Sequence, residues 1–283
     1  ASAGDGDGID PDPEDTGDSR SGASSSYHGT HVSGTVAAAG NNGIGVVGVA
    51  FNARVMPLRA LGAGGEGTTY DVDQAIRFAA SLPNDSGTVP ARRADIINLS
   101  LGGGPFSQSS QELYQRVRAA GVSMVASAGN EASRLPSYPA AYDGVISVAA
   151  VDAQRQRTSY SNTGSSIDIA APGGNNSVDL NGDGYPDGVL STGGLEAGGS
   201  YGYTFQSGTS MAAPHVAGVL ALMKSVNPGL SPADIDALLI RGELSDDLGA
   251  PGRDNEFGYG LINAQSAVLA AIVGPETIGE VAV

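Results

Sequence analysis

Ser210 lies in the stretch SGTSMAAPHVAG, residues 207–218, at the mouth of an apolar helical run with Gly208 before it and Ala212 and Ala213 after it. Small neighbours let another backbone approach closely. The first N–H groups of a helix have no intrahelical partner, so they can face a developing negative charge. Those are the needs of a nucleophile in acyl transfer. Alone, the segment reads first as a serine N-cap on a core helix. It is not the GxSxG elbow, because Ala212 stands where that motif has glycine.

A base for such a serine must come from three histidines, His28, His31 and His215. The first two form HGTH, residues 28–31. Zinc is the rival reading of paired histidines, but HGTH lacks the glutamate of HExxH and the chain has no cysteine. An aspartate is suggested by PEDTGDS, where Asp15, Thr16 and Gly17 stand 13 positions before the first histidine. Its neighbours argue against a catalytic place: IDPDPE, with two prolines, cannot form a buried strand, and solvated flexible surroundings would neither hold nor desolvate an acid.

Two acidic stretches offer hard oxygen ligands. DLNGDGYPDG, residues 179–188, places Asp179, Asn181 and Asp183 at alternate positions, Gly184 sixth, the Tyr185 carbonyl seventh and Asp187 ninth. That follows an EF-hand calcium loop until position twelve, where Leu190 replaces the bidentate glutamate. The expectation is Ca2+, with another group closing the shell. Residues 5–18 crowd seven carboxylates into fourteen positions, and Asp5, Asp7 and Asp10 are further candidate ligands.

The elements around these residues read as βαβ units. RVMPLRAL (54–61), ADIINLSL (94–101), VSMVASA (122–128) and VISVAAV (145–151) are apolar on both faces, as strands covered by helices must be. Between and after them, residues 70–82, 109–121, 210–226 and 231–240 have helical character, the last with Ser231 as N-cap and Pro232 at its first position. Residues 158–207 are turn-rich and Gly-rich, with a short buried strand in SSIDIAAPGG. The expected fold is α/β, a three-layer sandwich with a mostly parallel central sheet. The expected organisation is an acidic loop segment at 1–25, one domain over 26–272 and a tail at 273–283.

Composition narrows the function. A formal charge of −16 with only 14 basic residues, a single lysine among them, leaves no basic patch for a phosphate backbone, so nucleic acid is excluded as a partner. No apolar run approaches the ~18 residues needed to cross a bilayer, so no membrane partner is expected. The absence of cysteine removes disulfides and thiol nucleophiles together.

In order and spacing, HGTHVSGT, NLSLGG, ASAGNE, IAAPGG and SGTSMAAPHVAG resemble the subtilisin-like serine proteases, from about residue 26 to the FGYGLINAQSAVLAA stretch near 270. The resemblance implies a secreted, calcium-dependent, monomeric endopeptidase acting on polypeptides. His28 would be general base, Ser210 nucleophile, and Asn130 an amide donor to the oxyanion beside the Ser210 N–H. Ser100, Leu101 and Gly102 would offer one strand edge to a substrate and Gly64 and Gly65 the opposite edge. Ala128, Gly129 and Glu131 would line the pocket for the residue before the scissile bond, and His31 and His215 would be structural. In such proteases the aspartate ends an apolar strand ahead of the histidine. Here the acidic segment resembles an insertion found between the two in some bacterial members. The aspartate would therefore lie upstream of Ala1, on an N-terminal remainder acting as partner, with residues 1–283 alone impaired. The competing expectation is a non-catalytic, calcium-stabilised binding module on a degenerate protease fold, against which the intact His28, Asn130 and Ser210 argue.

Overall fold

The computed structural model describes residues 12–15, 17–19, 25–195 and 200–274. Asp5, Asp7 and Asp10, and the tail beyond residue 274, lie outside the described residues. Six strands form one sheet in the order β1-β2-β3-β4-β8-β7: β1 Ile96–Leu99, β2 Ser123–Ser127, β3 Val145–Val151, β4 Ile169–Pro172, β8 Leu261–Ile262 and β7 Ser245–Asp246. All neighbours run parallel except β7, which is antiparallel to β8.

Both faces are covered. On one, Val125, Ile146, Val148, Ala150, Ile169 and Ala171 meet α4 (Thr209–Val226), α5 (Pro232–Ile240) and α6 (Ala264–Val273). On the other, Ile97, Leu99, Met124 and Ala126 meet α2 (Thr69–Ala79) and α3 (Gln108–Ala119). A strand between two helix layers has no solvent face, which is why every residue of β2 and β3 is buried and why both are mostly apolar, with only the small serines Ser123, Ser127 and Ser147 among them. Local chemistry sets the helix starts: Thr68 with Asp71, and Ser231 with Asp234, form capping boxes.

One expected strand is absent. Residues 54–61 carry no strand, and residues 54–58 join no ladder among the described residues. Pro57 contributes no N–H, and a strand exists only beside another: the outer edge of β1 also pairs with nothing among the described residues. Met56, Ala60 and Leu61 still pack on the core below α2, while Val55 and Leu58 stay exposed. Conversely, the Gly-rich 158–207 region contains an antiparallel hairpin, β5 Val189–Leu195 with β6 Ser200–Gln206, outside the main sheet. It holds α1 (His28–Ala37) through Ser191 Oγ donating to the His31 carbonyl at 2.8 Å and Thr192 Oγ1 donating to the Thr30 carbonyl at 2.8 Å. Gly34 makes that approach possible: a Cβ there would lie 2.0 Å from Thr192 Oγ1.

Candidate active site

The site forms where the carboxyl ends of β1 and β2 meet the amino end of α4. Ser210 is the second residue of α4, behind Gly208 at φ 155°, and is half-buried. Ser210 Oγ reaches the Ser100 carbonyl at 3.4 Å, and Ser100 Oγ donates to the Ser210 carbonyl at 2.7 Å. The nucleophile candidate and the start of the expected substrate edge are therefore joined in both directions.

Asn130 follows β2 in a turn that comes up against Gly208. Its Oδ1 accepts from Thr209 N at 2.8 Å and from Thr209 Oγ1 at 3.0 Å, and Thr209 Oγ1 in turn accepts from Gly129 N at 3.1 Å. With the oxygen engaged by two donors, the amide nitrogen is the end left to donate. Thr209 thus decides which way the Asn130 amide faces, a role that sequence reading missed although the residue stands directly before Ser210. It is fully buried, so its hydroxyl has no competing water.

The turn after β2 is clamped by a second residue the sequence did not single out. Buried Asn162 accepts from Glu131 N at 3.1 Å and Ser133 N at 2.9 Å, and donates to the Ala128 carbonyl and to Glu131 Oε2, both at 2.9 Å. Ala128 and Gly129, with Gly129 at φ 107°, are held there beside the Glu131 carboxylate.

His28 opens α1, which packs against α4. Burial pushes its imidazole below the ordinary histidine range, opposed by the charges of Asp18 and Asp15. Neither carboxylate hydrogen-bonds to it. Asp15 accepts from Thr30 Oγ1 at 2.8 Å and Gly17 N at 3.1 Å, and so sits at the positive end of α1. Asp18 accepts from Ser26 N at 2.7 Å and Ser26 Oγ at 2.8 Å. Among the described residues, His28 also has no hydrogen bond to Ser210. The other two histidines are engaged elsewhere: His31 Nε2 lies 3.0 Å from the Val189 carbonyl and 3.1 Å from that of Thr204, and His215 Nδ1 lies 2.8 Å from the Met211 carbonyl. Burial lowers both pKa values.

Beyond Ser100, Leu101 is half-buried and Gly102 exposed; Gly104 then bridges Tyr138 in antiparallel fashion. On the far side, Gly64 and Gly65 are exposed in a turn at φ 76° and 68°, tied to the acidic segment by Gly64 N donating to the Asp18 carbonyl at 2.7 Å. In the 179–188 loop, Asp179 accepts from the N–H groups of Gly182, Asp183 and Gly184, Asp183 from Tyr185 N, and Asp187 from Leu180 N. Among the described residues no three His, Asp or Glu side chains converge as a metal-holding group. A cation on this loop would therefore also need the Asn181 amide oxygen and the Tyr185 carbonyl.

Comparison with known families decides the lineage: the model of the subtilase family matches residues 3–260. The chain belongs to the subtilase family. This subtilase is 42% identical over 258 residues to an extracellular protease of Xanthomonas campestris pv. campestris, across 89% of the present chain and 41% of that protein. It is 36% identical to an extracellular basic protease of Dichelobacter nodosus, across 88% of the chain and 40% of that protein. The chain thus spans about two fifths of the length of these relatives. A solved structure of proteases from Pseudoalteromonas arctica superposes with a TM-score of 0.78 at 41% identity, covering 87% of this chain and 71% of that one. The three-layer α/β sandwich with a mostly parallel sheet is the fold they share. No helix among the described residues is long and apolar enough to cross a membrane.

Proposed function

We propose that this subtilase is a secreted serine endopeptidase that hydrolyses polypeptides through an acyl-enzyme on Ser210. The observation that carries the reading is the arrangement at the amino end of α4. Ser210 stands on a helix terminus, Ser100 leads into an exposed extended edge, and the Asn130 amide is oriented by Thr209. Ser210 Oγ attacks the peptide carbonyl as His28 takes its proton. The resulting oxyanion receives hydrogen bonds from Asn130 Nδ2 and the Ser210 N–H. His28 then gives the proton to the leaving amine, and water repeats the sequence to release the acyl group. A substrate lies extended between residues 100–102 and 64–65, with its residue before the scissile bond against Ala128 and Gly129. Extracellular function follows the printed names of the relatives.

The aspartate that orients His28 is supplied, in this reading, by a strand outside residues 1–283. Two observations support it: the carboxylates whose charges act on His28 are engaged with α1 and Ser26, and neither the outer edge of β1 nor residues 54–58 has a ladder partner among the described residues. Asp179, Asn181, Asp183, Tyr185 and Asp187 hold a structural Ca2+, which orders a loop with no core of its own and takes no part in the chemistry.

The reading is tested by peptide hydrolysis with the full-length protein and its Ser210→Ala variant. Turnover that disappears with Ser210 is expected; turnover unchanged in the variant, or none in the wild type, contradicts it.

A further inference from the structure

Pro214 lies inside α4, four residues after Ser210. A proline there has no N–H to give the carbonyl one turn back, and its ring crowds that carbonyl. The peptide leaving the nucleophile is therefore denied its helical hydrogen bond. Ser100 supplies the missing donor from another element, its hydroxyl lying 2.7 Å from the Ser210 carbonyl oxygen. Asn98, on β1, donates from Nδ2 to Ser100 Oγ at 2.9 Å, so the Ser100 proton must point at Ser210. The return contact, Ser210 Oγ to the Ser100 carbonyl at 3.4 Å, closes the pair.

We infer that Ser100 and Asn98 are positioning residues that replace the hydrogen bond Pro214 removes and so hold Ser210 in register with the substrate edge beginning at Ser100. The inference rests on the peptidase reading above. The proline removes one rung of the α4 ladder, at the Ser210 carbonyl, and the relay ties that carbonyl to the chain leaving β1, which continues into Leu101 and Gly102. A nucleophile fixed by its own helix would follow helix movements. Fixed to β1, it keeps its distance to the bound peptide. Misplacing a reacting atom by about 1 Å can cost on the order of 100-fold, so this bond should be felt in kcat rather than in binding.

The test uses the full-length protein, a peptide substrate and four variants. Ser100→Ala should lower kcat by roughly 10- to 100-fold, leave KM within about threefold and leave the melting temperature nearly unchanged. Ser100→Thr, which retains the hydroxyl, should keep most of the activity. Pro214→Ala placed in the Ser100→Ala background restores an N–H one turn after Ser210 and should recover a large part of kcat, which a merely structural serine would not allow. Asn98→Ala should reduce kcat less than Ser100→Ala and add nothing to it in the double variant. Unchanged kcat in Ser100→Ala, a loss confined to KM, or failure of Pro214→Ala to rescue would each overturn the inference while leaving the peptidase reading intact. A wild-type protein without turnover would instead overturn that reading and this one with it.

Discussion

At the scale of single residues, the site depends on side chains that fix other side chains. Asn130 is exposed and could rotate, yet two donors from Thr209 settle its orientation. In subtilisin, removing such an amide donor costs on the order of 100- to 1,000-fold in kcat; Asn130→Ala should show that scale here. Thr209→Val, which keeps the N–H but loses the hydroxyl, should show a smaller kcat loss at unchanged KM, read by steady-state kinetics on the full-length protein. His28 gives a second residue-level prediction. Burial lowers its pKa while Asp18 and Asp15 raise it, so removing either charge by Asp18→Asn or Asp15→Asn should lower it further. Titration of the His28 ring by NMR checks the direction, and a rise would contradict it. The proposed catalytic residues Ser210, His28 and Asn130 could be singled out in the sequence because they sit in dense motifs. Thr209, Asn162 and Asn98 were not, since their roles lie in which way a hydrogen bond points, and sequence carries no orientation.

At the scale of elements, periodicity served where both faces of an element were determined by packing. The strands at 94–101, 122–128 and 145–151 and the helices around 70–82 and 210–226 all appear, shifted at most by a few residues. Residues 54–61 have the same apolar texture and form no strand, because a strand needs a neighbour and composition cannot show whether one is present. The 189–206 hairpin was hidden for another reason: Tyr201, Tyr203 and Phe205 do alternate, but glycines at 193, 194 and 202 give the stretch the texture of a turn region. Asp168, beside the start of β4, offers a pH test at this scale. Burial, opposed by Ser147 N and the charge of Arg253, pushes its carboxyl up to about 6. A raised pKa means that the folded chain holds a proton the unfolded chain has released. This contribution to stability is present below about pH 4 and lost as pH rises through about 6. Asp168→Asn should keep the bond from Ser147 N, remove that dependence and stabilise the fold near neutral pH by ~1–3 kcal/mol. Denaturant melts across pH 4–8 measure it, and a destabilised variant at pH 7.5 would contradict the account.

At the scale of the whole molecule, the two covered faces of the sheet form a frame on which the proposed reactive and substrate-binding groups come from α1, α4 and the turns after β1 and β2. The 179–188 loop lies outside that frame, so calcium there should act on stability. Chelation is expected to lower the melting temperature of the full-length protein by several degrees, with added Ca2+ restoring it; an unchanged midpoint would remove the ion from the account. The open edge of β1 has a kinetic counterpart. If the orienting acid comes on a strand paired there, residues 1–283 alone should fall short of the full-length protein by roughly 3 × 10⁴ in kcat, the scale of losing the acid in subtilisin. Comparable activity in the two would show the acid to be within these residues.

The most direct measurement is mass spectrometry of the full-length protein after reaction with a serine-directed fluorophosphonate. A single adduct on Ser210, abolished by His28→Ala in a protein that still melts cooperatively, is the expected result. A folded wild-type protein that takes no label on Ser210, or labels equally well without His28, would contradict the central claim.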